Sequence, residues 1–293
     1  MQKKIQILPA LVMIVAAVAL IFRVFQILVV VDYNDMGFFN AAAGFLPIYG
    51  LYLLLAGGGL LFLFGVLIDK KLGNTAFTRP ASSLTSRQTA VLGVAYLIGA
   101  CLRFYELVFR FSGFDLNFIG EAVIFVLLTA IGFIILGSRT LKPVVGYLHI
   151  IICISCTLKA AALFMQDTII VRVSDELLLL LSYVGSVLFF LALGRFIAGN
   201  ESKMTRHKLL LFGGLTTVLA LCSSLAGYIA FAVDKSYIGS HMTMHPLSET
   251  GTAIIAFAVI IMMYSRNALP VEEEPTDEEP EDDEEENSYI LRP

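Results

Sequence analysis

The sequence predicts an all-α membrane protein: a polytopic bundle of about eight spanning helices, arranged as four helical hairpins with both termini cytoplasmic. Three observations predict this class. The composition is apolar and poor in charge, the apolar residues gather into segments of spanning length, and lysine and arginine fall almost entirely on one side of those segments. Of 293 residues, 58% are hydrophobic and 15% are Asp, Glu, Lys or Arg, against about 25% charged in a soluble domain. Mean hydropathy is +0.83. A water-soluble fold of this size has no place to hide so much apolar surface.

Charge is unevenly spread. Twelve of the 24 acids lie between Glu272 and Glu286. The net charge is −4, yet without those twelve acids it would be +8, from 20 basic and 12 remaining acidic residues. The chain therefore divides into a basic membrane domain, residues 1–266, and an acidic cytoplasmic tail, residues 267–293. The tail is dominated by Glu, Asp and Pro, cannot bury enough apolar surface to fold, and is expected to be disordered. It ends Ser288-Tyr289-Ile290-Leu291-Arg292-Pro293, an apolar pause that offers a docking peptide to a protein partner. No basic patch with interleaved aromatics is present, so nucleic acid is not an expected partner.

A helix needs about 20 residues to cross roughly 30 Å of hydrocarbon. Segments of that order run over 5–31, 46–68, 88–111, 120–137, 144–165, 176–197, 209–233 and 249–265. Helices are the expected form, because hydrocarbon offers no partner to an unpaired backbone group. The first segment is longer than needed, which allows tilt. It contains Ala17-Val18-Ala19 after Lys3 and Lys4, a pattern that looks like a signal-peptide cleavage site. The apolar run continues to Val31, so an uncleaved first helix is expected. The fourth and eighth segments are short.

Orientation follows from the connections. One side carries Lys3, Lys4, Lys70, Lys71, Arg79, Arg87, Arg139, Lys142, Lys203, Arg206, Lys208 and Arg266, and the other only Arg172 and Lys235. By the positive-inside rule the first side is cytoplasmic. An even number of spans then returns the chain to the side on which it began. The short loops and single-domain build suggest, by analogy, a bacterial plasma membrane.

An internal repeat runs through the hairpins. Leu20-Ile21-Phe22-Arg23, Ala100-Cys101-Leu102-Arg103 and Cys156-Thr157-Leu158-Lys159 each place one cation after a similar lead-in, and the fourth copy, Ser223-Ser224-Leu225-Ala226, lacks it. The next helix in each case opens with a polar residue: Asn40, Glu121, Glu176 and Glu249. At 1.5 Å per residue the three cations lie roughly 9–12 Å below the outer ends of their helices. Carboxylates in a first turn favour the positive end of the helix dipole, and Ser174 and Ser248 stand where caps belong.

Charges inside a span cost about 2.5–3.5 kcal/mol even on the lenient insertion scale, and they mark functional sites. Arg103, Glu106 and Arg110 share one helix face by their spacing, so Glu106 can pair with either arginine; Gln26 takes its place in the first repeat. Two readings follow. In the first, Arg23, Arg103 and Lys159 are neutralised by Glu106, Glu121 and Glu176. In the second, three cations facing one fully intramembrane carboxylate form an outward-facing cationic cavity. That cavity, built from Arg23, Arg103, Glu106 and Lys159, would bind or transport a small anionic molecule or lipid-like headgroup.

The remaining features are weighed more briefly. His241, Met242, Met244 and His245 offer imidazole and thioether ligands suited to copper or silver, although one short run does not give convergent geometry. Cys153 and Cys156 lie within an apolar run and read as packing residues. His149 reads as a hydrogen-bonded packing residue. Gly57-Gly58-Gly59 and Gly213-Gly214 let helix backbones approach closely. Tyr33, Phe38, Phe39, Phe109, Phe111, Phe114 and Phe118 supply the outer aromatic belt of a chain that has no tryptophan. The long polar connection over 69–88 reads as a linker. No metalloprotease, nucleophile-elbow or nucleotide-binding motif is present, so neither an enzyme nor a cofactor is expected. The alternative to a binding or transport protein is a non-catalytic scaffold or sensor subunit, acting through its cytoplasmic loops and acidic tail.

Overall fold

A computed structural model describes residues 7–32, 38–73, 85–109, 116–138, 141–166, 174–200, 202, 204–234 and 246–264. It is 91% helical. The helices are α1 (Ile7–Phe25), α2 (Phe45–Lys71), α3 (Ser86–Phe109), α4 (Leu116–Ser138), α5 (Pro143–Gln166), α6 (Ser174–Ile197), α7 (Thr205–Ser223), α8 (Leu225–Val233) and α9 (Ser248–Tyr264). Seven spans are long and apolar enough to cross a membrane, with α7 and α8 together forming one of them, and α9 is a shorter apolar helix. The eight expected segments are thus all present as helices in a polytopic membrane bundle.

Two of the spans are not uniform α-helix. The first widens into a π-helical turn at Gln26–Val30. The seventh, expected as one helix, is interrupted at Ser224, whose φ of −119° and ψ of −68° separate α7 from α8. Beyond the π turn, Val31–Asp32 (β1) pairs antiparallel with Phe38–Phe39 (β2), Val31 opposite Phe39. Asn40 caps the short 3₁₀ turn Ala41–Ala43 by accepting from the Ala42 N–H at 2.9 Å.

Consecutive helices pack as hairpins: α1 on α2, α3 on α4, α5 on α6, and α7 on α9. The last three hairpins close into a ring, in the order α3, α4, α5, α6, α7, α9 and back to α3. The first hairpin lies outside the ring, against α7. Lipid is as apolar as leucine, so close van der Waals packing rather than water exclusion holds such helices together. Glycines supply the close approaches. A Cβ on Gly146 of α5 would stand 2.6 Å from the Gly194 carbonyl oxygen of α6, and one on Gly251 of α9 would stand 2.7 Å from the Gly99 Cα of α3. Gly213 meets Ile260 and Phe189, and Gly214 meets Phe62 and Val12, the packing role expected of that pair. Leu92, Tyr96, Ile124, Leu128, Ile152 and Phe190 are fully buried in the core.

The first hairpin is fastened at the end where α1 begins and α2 and α9 finish. Asp69, fully buried, accepts from the Ile7 N–H at 3.3 Å, the Leu8 N–H at 3.0 Å and the Tyr264 hydroxyl at 2.7 Å. A carboxylate there satisfies two orphan donors of the α1 N-terminus and faces the positive end of its dipole.

Candidate functional site

The polar centre lies inside the helix ring, near the end where α3 and α5 finish and α4, α6 and α9 begin. Arg103 projects from α3 and Lys159 from α5, and both are almost fully buried. Glu121 of α4 bridges them, one carboxylate oxygen on the Arg103 guanidinium and the other on the Lys159 ammonium. Glu249, in the first turn of α9, makes a second and looser bridge. One of its oxygens lies 3.4 Å from Arg103 and 3.8 Å from Lys159. Two cations and two carboxylates therefore alternate around a single point.

Polar side chains complete this arrangement. Thr252 accepts from Arg103 at 2.8 Å, Ser182 donates to Glu249 at 3.1 Å, and Ser248 donates to Glu121 at 3.2 Å. The Lys159 ammonium stands 4.2 Å above the centre of the Tyr183 ring, a cation–π contact that strengthens as water is excluded. Room for the lysine stem comes from Gly120, where a Cβ would approach the Lys159 Cγ to 2.9 Å. The Arg103 Nε–H has no acceptor among the described residues. Glu121 is the member most open to its surroundings, with 13% of its side chain exposed against 1% for Glu249.

Arg23 forms a separate centre at the π turn. It reaches Asp175 in the first turn of α6 and donates to the Gln26 side chain at 3.0 Å. Gln26 in turn donates to the carbonyls of Pro47 and Ile48 at 2.8 and 3.1 Å, which ties α1 to the start of α2. Asp175, the residue before Glu176 in the first turn of α6, is thus a partner of Arg23 that the repeat spacing did not single out.

Of the four residues singled out for ligand binding, the structure brings Arg103 and Lys159 together and places Arg23 apart. Glu106 holds the backbone that leads into α9. Its carboxylate accepts from the Leu247 N–H, immediately before α9, and so fixes the turn that presents Glu249. The expected surplus of positive charge is also met within the bundle, because Glu121, Glu249 and Asp175 all reach inward from first or second turns. Arg110 lies outside the described residues. So do His241, Met242, Met244 and His245, and the acidic tail. Among the described residues no group of His, Cys, Asp and Glu is arranged to hold a metal ion.

Sequence reasoning passed over Asp175, Ser182, Tyr183 and Thr252. A Ser-Asp-Glu opening to α6 drew attention to its second acid by the repeat spacing alone. Hydroxyls inside spans look like any other small residue until helix rotation is known. His149 is satisfied on both sides. Its Nδ1 lies 2.6 Å from the Val145 carbonyl and must carry the proton, since a carbonyl only accepts, and its Nε2 accepts from the Tyr96 hydroxyl at 2.6 Å. The four cysteines are free thiols; Cys101 is exposed and the other three are buried.

The centre pairs carboxylates with fixed cations. Glu121 offers one oxygen to each of two fixed donors from different helices, and any small molecule with a carboxylate or phosphate has oxygens of the same kind. Compared with family models, with characterised proteins and with solved structures, the chain matches none.

Proposed function

We propose that this integral membrane protein binds a small anionic or lipid-like molecule, for transport or recognition, at the Arg103–Glu121–Lys159–Glu249 centre. One observation carries the reading: two buried cations on different helices are bridged by carboxylates, one of them loosely, while an arginine Nε–H remains without an acceptor among the described residues. Four charges held among apolar helices are costly, and well-packed apolar side chains of similar volume are often as stable or more so. Their presence is better accounted for by recognition than by stability. In this reading an anion enters past Glu121, takes the place of one carboxylate between Arg103 and Lys159, and engages the free Nε–H.

The role is binding or transport rather than catalysis, in a plasma membrane with both termini cytoplasmic. The test is thermal stabilisation of the purified protein by a panel of carboxylates, phosphates and anionic lipid headgroups. It compares wild type with Arg103→Gln, each variant against its own unliganded melting temperature. Selective stabilisation by one class, lost in the variant, is the expected result. No stabilisation by any member would overturn the proposal. It would leave the centre as a structural staple and favour a scaffold or sensor acting through the cytoplasmic loops and tail.

A further inference from the structure

We infer that the groove between α6 and α7, at the opposite end of the bundle from the polar centre, holds the phosphate headgroup of an anionic phospholipid. The groove has a volume of about 190 Å³. Leu188, Leu191 and Phe212 form its apolar wall, while Arg195 and Lys208 line it from the two helices and Ser202 from the connecting loop. Arg195 occupies the last turn of α6, and Lys208 the first turn of α7.

The loop is shaped to bring these residues together. Gly199 turns the chain with a φ of +73°, a conformation readily open only to glycine among common residues. The Thr205 hydroxyl accepts from the Ser202 N–H at 2.8 Å, which holds Ser202 against the start of α7. Arg206 lies 5.9 Å over the Phe196 ring, and among the described residues the cations lining the groove are Arg195 and Lys208.

The composition selects an amphipathic anion. Two exposed cations, one a planar fork and one a point charge, suit phosphate oxygens, and the N-terminus of α7 adds the positive end of its dipole. A soluble anion would gain nothing from the wall, but Leu188 and Leu191 are exposed, at 38% and 37%, on the outer face of the bundle. That face meets acyl chains, so the groove opens sideways to lipid as well as endwise to water. A phospholipid places its phosphate between the cations and its chains along the leucines. Each basic residue near a membrane surface contributes about 1 kcal/mol toward an anionic lipid, which for two residues is about 30-fold in affinity.

The experiment uses the full chain in detergent micelles, titrated with phosphatidylglycerol, phosphatidylcholine or inorganic phosphate and read by native mass spectrometry and melting temperature. Phosphatidylglycerol is expected to bind and stabilise, with phosphatidylcholine weaker and inorganic phosphate inactive. R195Q/K208Q is expected to lose affinity for phosphatidylglycerol by about 30-fold. Both side chains are exposed, so the unliganded melting temperature should hold. Leu191→Trp keeps the charges and fills the groove, and it is expected to weaken the same lipid. Equal binding of the two lipids, unchanged affinity in R195Q/K208Q, or unchanged affinity in Leu191→Trp would overturn the proposal. Stabilisation by inorganic phosphate as strong as by lipid would overturn the lipid assignment.

Discussion

Replacing Glu121 by Gln separates a coupled charge centre from a set of independent contacts. Glu121 holds both Arg103 and Lys159. After the substitution, two buried cations share Glu249, at 3.4 and 3.8 Å. Removing one partner from a buried ion pair costs about 3–5 kcal/mol, because the remaining charge is left uncompensated. At about 2–4 °C per kcal/mol, Glu121→Gln should lower the melting temperature by about 6–20 °C. Adding Lys159→Met removes the uncompensated cation and leaves Arg103 with Glu249, one charge of each sign. The double variant should therefore be more stable than Glu121→Gln alone, a departure from additivity expected only of coupled sites. The three buried cysteines, Cys153, Cys156 and Cys222, supply the assay: a thiol-reactive dye reports their exposure as the protein unfolds, with Cys101 replaced by Ser to lower the background. A double variant as unstable as the sum of its single variants would refute the coupled centre.

Three further outcomes follow from the packing. Gly120→Ala brings a Cβ within 2.9 Å of the Lys159 stem and should destabilise by about 1–3 kcal/mol, as overpacking does; the same step made on a Lys159→Met background should cost less, because the methionine stem can shift without straining an ion pair. Gly146→Ala is more severe, since its Cβ would meet the backbone of Gly194 and Ala198 at 2.6 and 2.7 Å; the yield of monodisperse protein on size-exclusion chromatography should collapse. Asp69→Asn keeps the shape but removes the charge that accepts from Ile7, Leu8 and Tyr264; a loss of about 1–3 kcal/mol is expected, greater than that of Tyr264→Phe, in the same thiol assay.

The spans were legible because apolar length is a strong constraint in hydrocarbon. All eight expected segments appear within a few residues, and the shortness of the last was visible in its composition. The break at Ser224 was not legible, because a serine in a helix can return its hydroxyl to the turn below, as Ser224 does to the Ala220 carbonyl at 2.5 Å. It adopts that bond here while also meeting the Thr250 hydroxyl at 2.7 Å, a contact from another helix that no local pattern reveals. The cations of the polar centre were found from the cost of burying charge. Their partners were found only in part: Glu121 was expected, whereas Asp175 and Glu249 reach the cations by helix rotations that spacing alone does not give. Asp69 was hidden by its neighbours: beside Lys70 and Lys71 it reads as one more charge in a polar connection, whereas it is fully buried.

An anion-binding centre requires that its carboxylates yield to an incoming anion. Infrared difference spectroscopy on the reconstituted protein reads this directly, as each anion of the stabilisation panel is added in turn. Displacement of Glu121 or Glu249 from Arg103 and Lys159 predicts a shift in the protein's carboxylate stretching bands with the preferred anion, absent in Arg103→Gln and altered in Glu121→Gln. Carboxylate bands unchanged by every anion would contradict the account.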